Sequence, residues 1–124
     1  MRKNIKTPLP DGTAPVEWAS MGGRTLYTAS IPIRADGSIE SGDIEAQTKL
    51  TLDNLKTIIG AAGGTLDDVT QVQVFLTGKQ YFEGMNAVYR TYFNRPYPNR
   101  ATVIADLMVP GAKIEIVAHA HIEE

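Results

Sequence analysis

The chain contains no cysteine. Disulfides, thiolate metal sites and cysteine nucleophiles are therefore excluded. Histidine is scarce too, with only His119 and His121. No catalytic histidine pair set in a basic groove is readable, and the formal net charge of −2 argues against nucleic acid as a partner. No apolar stretch approaches membrane-spanning length. Arg2, Lys3 and Lys6 have no apolar run behind them, so they do not read as a signal peptide. Gly60, Gly63 and Gly64 form no phosphate loop, because the required lysine and following helix are missing. Internal repeats and low-complexity segments are absent as well. The expectation is a cytoplasmic protein with neither a membrane nor a nucleic-acid partner.

What is present fits one domain over residues 1–124, with 43% hydrophobic and 21% charged residues, ordinary values for a globular chain. Pro8, Pro10 and Asp11-Gly12 make residues 1–13 an extended arm ending in a turn. Residues 15–20 and 24–33 are strand candidates separated by Gly22-Gly23, and Asp36-Gly37 is a second hairpin signal. Asp43 is a plausible N-cap. Behind it, Ile44, Thr48, Leu52, Leu55, Ile59 and Ala62 recur on one helical face until Gly63-Gly64. Residues 69–76 alternate as a strand. Phe82, Met85, Tyr89, Tyr92 and Phe93 mark one face of a second helix, which Pro96 and Pro98 end. Residues 101–107 and 113–122 read as two last strands joined around Pro110-Gly111. This order predicts an α+β fold: a mixed, mostly antiparallel sheet with two helices packed on one face. The other face of such a sheet usually meets another copy of the chain.

Two charged residues stand out in the last strands. Arg100 opens one apolar run, and Glu115 interrupts the other fifteen positions later. A guanidinium matches both oxygens of a carboxylate at once. A carboxylate among Ile, Val and Ala needs a reason to be there, since Glu is seldom buried without a partner. If the two strands pair antiparallel about Pro110-Gly111, Glu115 lies level with Asp106. Arg100 is then six residues further on, on the order of 20 Å at about 3.3 Å per residue. The two groups would meet on one small substrate only if they came from different chains. Read by position alone, Arg100 is a surface ion-pair partner and Glu115 a solvated sheet-edge residue.

Pro98-Asn99-Arg100 followed by Ile114-Glu115-Ile116 resembles the C-terminal signature of the RidA (YjgF-type) family of imine deaminases. The resemblance runs back through Met85-Asn86-Ala87-Val88-Tyr89, Val74-Phe75-Leu76-Thr77 and the 61–69 link to Ile31-Pro32-Ile33. It implies a chorismate-mutase-like homotrimer with sites between neighbouring subunits and no cofactor. It also implies hydrolysis of carboxylate-bearing 2-imino acids or enamines to 2-oxo acids and ammonia. Arg100 and Glu115 are the implied catalytic pair: Arg100 clamps the carboxylate, and Glu115 orients water and moves protons.

Thr102 shares a strand face with Arg100 and stands where many members carry cysteine. Asn86 aligns with an asparagine near the family's site, though it would serve equally as a local helix residue. The family's Pro-Tyr step is Pro15-Val16 here, so no tyrosine aligns. Trp18 either fills that wall or packs in the core. The Ser-Gly-Gln before the Ile-Pro step becomes Thr28-Ala29-Ser30, whose Ala29 and Ser30 backbone groups remain substrate-binding candidates. His119-x-His121 is read as partly exposed strand-end histidines rather than a metal chelate, because no third ligand lies nearby. The altered N-terminal wall leaves open a specialised catabolic deaminase acting on an aminomuconate- or aminoacrylate-like substrate. A non-catalytic small-molecule-binding trimer is the alternative from another class.

Overall fold

The computed structural model describes residues 1–123. Its six strands are β1 (Lys3–Asn4), β2 (Ala19–Gly22), β3 (Thr25–Ser30), β4 (Val69–Leu76), β5 (Asn99–Ile104) and β6 (Ile114–His121). Two helices, α1 (Ile44–Ala61) and α2 (Phe82–Tyr92), lie on one face of the sheet. The sheet order is β1-β2-β3-β6-β4-β5, and only the β4–β5 pair is parallel.

Local chemistry explains the boundaries. Gly23, with φ of 58°, opens the two-residue turn between β2 and β3, where a left-handed glycine matches the strand twist. Asp43 caps α1 by accepting a hydrogen bond from the Ala46 amide at 2.9 Å. At the far end Gly63 takes φ of 88°. The Gly64 amide donates to the Ile59 carbonyl, and the Gly63 amide donates to that of Gly60, which closes the helix. A bulge between Val69 and Gln71 resets the alternation of β4, so that Val72, Val74 and Leu76 all face the helices.

The core lies between sheet and helices. Leu26, Val72, Val74, Leu76, Ile114 and Ile116 from the strands meet Leu52, Leu55, Ile58, Ile59 and Met85 from the helices, all fully buried. Gln47 is buried with them and is satisfied. Its amide donates to the Glu40 and Gly111 carbonyls and its oxygen accepts from the Lys113 amide. That residue ties α1 to the approach to β6.

Three expectations are corrected. The last two strands do not form a hairpin: β4 stands between β5 and β6. The α2 crossover returns the chain parallel to β4 on its outer side, and residues 105–113 then lead back to β6 on the inner side. The 15–20 strand begins only at Ala19, because Pro15 cannot donate to a ladder and residues 11–17 are exposed. Phe82, expected on the packed face of α2, is 42% exposed. Within residues 1–13, Lys3–Asn4 add an edge strand to β2.

Two hydroxyl groups are buried without a hydrogen-bond partner among the described residues, Thr48 Oγ1 and Tyr89 OH. An unpaired buried hydroxyl destabilises the folded state. Thr48→Val keeps the shape and removes the group, and is expected to raise stability by about 1 kcal/mol in chemical denaturation. Asp43→Ala, which removes the α1 cap, is expected to lower it by about 1 kcal/mol in the same measurement.

Candidate active site

Arg100 sits on β5, the outer edge strand beyond β4. The cis Arg95–Pro96 peptide and Pro98 precede it. A side-chain bond from Gln71 Nε2 to Asn99 Oδ1, at 3.1 Å, ties the first rung of the β4–β5 ladder. Arg100 is level with Val72, a residue of the helix-facing set. Alternation therefore aims its side chain at the helix layer. There its Cζ lies 4.6 Å from the ring centroid of Tyr89 and 5.9 Å from that of Phe82. Nη1 is 3.9 Å from Met85 Sδ. Among the described residues no carboxylate pairs with this partly buried guanidinium. A charge taken partly out of water without a counterion is poised for an anion from outside.

Thr102 is level with Val74 and so lies on the same face, one step further along β5, partly buried. Asn86 follows Met85 on α2 and is also partly buried. Its backbone carbonyl accepts from Arg90 Nε at 3.2 Å, which leaves its side chain uncommitted among the described residues. Arg100, Thr102 and α2 around Asn86 thus make up one side of the sheet's β5 edge.

Glu115 belongs to the opposite face. It is level with Phe75 on β4, in the set that points away from the helices. It is partly buried and forms no ion pair among the described residues. Burial pushes its carboxyl above the ordinary 4.5. Val117, His119 and His121 share its face, and His119 packs edge-on to Tyr27, with centroids 5.0 Å apart. Among the described residues no group of three or more His, Asp or Glu converges as a metal site would require. Ala29 is level with Val117 and lies on this open face. The Ser30 side chain points the other way and donates to the Thr51 carbonyl at 2.8 Å, fully buried. β2 ends level with Thr28, so the outer backbone edge of Ala29 and Ser30 has no strand neighbour. Trp18 packs partly buried against the core. Its indole N–H donates to the Pro10 carbonyl at 3.1 Å, pinning the arm.

The structure does not bring Arg100 and Glu115 together. Through Val72, Arg100 is level with Ala118, three residues along β6 from Glu115 and two strands across. That displacement is on the order of 14 Å, from strand rise and spacing, and the side chains leave opposite faces. Sequence reasoning reached the separation by a pairing that does not exist, and overstated its length along the strands. Two surface concavities, of about 310 Å³ and 560 Å³, lie over the α1 C-terminus and between α1 and α2. Neither contains any of these residues. The aromatic and sulfur contacts of Arg100 were not anticipated. The steps of three and four between Phe82, Met85 and Tyr89 were visible, but nothing local tied that stripe to β5.

Comparison with known proteins places this geometry in a family. A family model described as Endoribonuclease L-PSP matches residues 13–122. A RutC family protein of Sulfurisphaera tokodaii is 42% identical over 113 residues, covering 90% of this chain and 89% of that protein. Among solved structures, YyfA of Yersinia pestis, a Rid family protein of unknown function, superposes with a TM-score of 0.92 at 30% identity. The match covers 98% of this chain and all of that one. TdcF of Escherichia coli, solved with bound serine, superposes at 0.89 and 31% identity, over 98% of this chain and 99% of its own. The chain belongs to the RidA/YjgF family, the one described as Endoribonuclease L-PSP.

Proposed function

We propose that the chain hydrolyses 2-imino acids, or their enamine tautomers, to 2-oxo acids and ammonia. The observation that carries this reading is the partly buried guanidinium of Arg100, with no carboxylate partner among the described residues, on an exposed strand edge with Thr102 beside it. A fork of in-plane donors with no internal anion suits a substrate carboxylate. Glu115 supplies the second requirement, a carboxyl that burial makes a better proton acceptor than an ordinary glutamate. It holds a water that adds to the imine carbon. The carbinolamine then collapses, its C–N bond breaks, and ammonia leaves as the oxygen forms the carbonyl. Imines already hydrolyse in water. Positioning plus one acid–base group, worth about 10²–10⁴-fold, is then enough, with no metal or cofactor.

The reading requires a second chain, because Arg100 and Glu115 leave opposite faces. The open sheet face favours association: Tyr27 and Val103 are 47% and 45% exposed there, beside partly buried Ala29, Phe75 and Val117. A homotrimer in the cytoplasm is the assembly proposed. Arg100, Thr102 and Asn86 would come from one chain, and Glu115, with the free edge of Ala29 and Ser30, from its neighbour. Trp18 joins that wall only through its partly buried ring. Bound serine in TdcF supports an amino-acid-derived ligand with a carboxylate. A specialised catabolic deaminase uses the same geometry with a different far wall, and a regulatory trimer uses the Arg100 end alone. The acidic balance of the chain argues against RNA.

Ammonia release from freshly generated 2-iminopropanoate separates enzyme from binder, and an absence of turnover would refute the enzyme reading. Arg100→Ala is expected to abolish that release with fold and assembly unchanged. Arg100→Lys should be badly impaired, because an ammonium cannot reproduce the fork. Wild-type rates in either would contradict the clamp. Since the Glu115 pKa is raised, its base form is lost on acidification earlier than in an ordinary glutamate. The acid limb of the rate profile is expected above pH 4.5 and should vanish, with activity down about 10²-fold or more, in Glu115→Gln. Light scattering at micromolar concentration should give the mass of three chains; a monomer would remove the shared site.

A further inference from the structure

The placement of Arg100 is itself built. Phe82, Met85 and Tyr89 follow one another at steps of three and four, so they form one stripe along α2. Met85 is fully buried and Tyr89 is 6% exposed, while Phe82 opens toward solvent. The guanidinium meets all three, and comes nearest to the Tyr89 ring. That ring packs against Phe93, 4% exposed, with centroids 4.6 Å apart and planes tilted by 32°. Tyr89 is therefore a fixed surface rather than a mobile neighbour.

A guanidinium that rests its flat face on a ring keeps its in-plane N–H donors for other partners. A salt bridge would do the reverse, occupying the donors a substrate needs. The Tyr89 hydroxyl is buried and has no partner at full hydrogen-bonding geometry among the described residues. Burial pushes its pKa up, and Arg100 opposes that rise both by its charge and by a guanidinium close enough to the hydroxyl to act as a donor.

We propose that Tyr89 is a positioning residue for Arg100. Its ring, with Phe82 at the outer edge, sets the plane of the guanidinium and keeps the fork directed at a carboxylate. This rests on the reading of Arg100 as a carboxylate clamp. The ring carries the effect and the hydroxyl does not, so Tyr89→Phe and Tyr89→Leu must behave differently.

The test uses the assembled protein and 2-oxobutanoate as the probe, with affinity measured by calorimetry. In parallel, the Nε–Hε NMR signal of Arg100, assigned by its loss in Arg100→Ala, reports ring-current shift. Wild type and Tyr89→Phe are expected to bind alike and to share a ring-shifted signal. Tyr89→Leu should bind about tenfold more weakly, lose the shift, and raise KM with kcat within about twofold. Phe82→Leu, at an exposed position that the fold tolerates, should weaken binding about threefold and move the same signal. It decides the matter alone if Tyr89→Leu does not fold. Unchanged affinity and signal in the leucine variants, with wild type binding the probe, would overturn the positioning role while leaving the clamp intact. A wild-type protein that does not bind the probe would overturn the clamp, and this inference with it.

Discussion

The hydrogen-bond ladders on both sides of β6 hold the two halves of the chain in one sheet. β3 lies on one flank and β4 on the other, both antiparallel to it. α1 connects those two flanking strands, and α2 connects β4 to β5. Both crossovers therefore lie on the same face, and the residues of β6 that point toward them, Ile114, Ile116, Ala118 and Ala120, are buried. Once that face is fixed, alternation fixes everything else along the strand. Glu115 must face away from the helices because Ile114 and Ile116 face toward them. Arg100 must face the helices because it is level with Val72, which is level with Ala118.

The two charges consequently sit in different surroundings. Arg100 meets an aromatic and sulfur surface from α2, where Nη1 donates to Met85 Sδ and no carboxylate among the described residues takes its fork. Glu115 lies in an open sheet face whose apolar neighbours raise its pKa by desolvation. Each group alone is an unfavourable use of charge. In the proposed assembly they would be set against each other across a subunit boundary, one as an anion clamp and the other as a base.

Much of this was legible in the sequence where the signal is local. The limits of β4 follow from alternation over residues 69–76, and α1 is bounded by Asp43 and Gly63-Gly64, each with its own hydrogen bonds. Thr102 shares the Arg100 face by simple parity. Strand pairing is not local. The Pro110-Gly111 turn between two apolar runs reads as a hairpin, yet β4 occupies the place between β5 and β6. The stripe of Phe82, Met85 and Tyr89 was visible as a helix face, but its meeting with Arg100 depends on that unseen pairing. Trp18 left two readings open. Its indole bond to Pro10 and its contact with the core show a structural task at that position, whatever the wall of the site requires.

The central claim is that Arg100 of one chain works with Glu115 of another. Arg100→Ala and Glu115→Gln chains, each inactive as pure assemblies, can be co-assembled in equal amounts and assayed for 2-imino acid hydrolysis. In a cyclic assembly a site is intact when its arginine and its glutamate both come from the unmutated positions of adjacent chains. Recovery to about a quarter of wild-type activity is then predicted. If both groups acted within one chain, no mixed assembly would contain an intact site, and activity no higher than in the single variants would contradict the account.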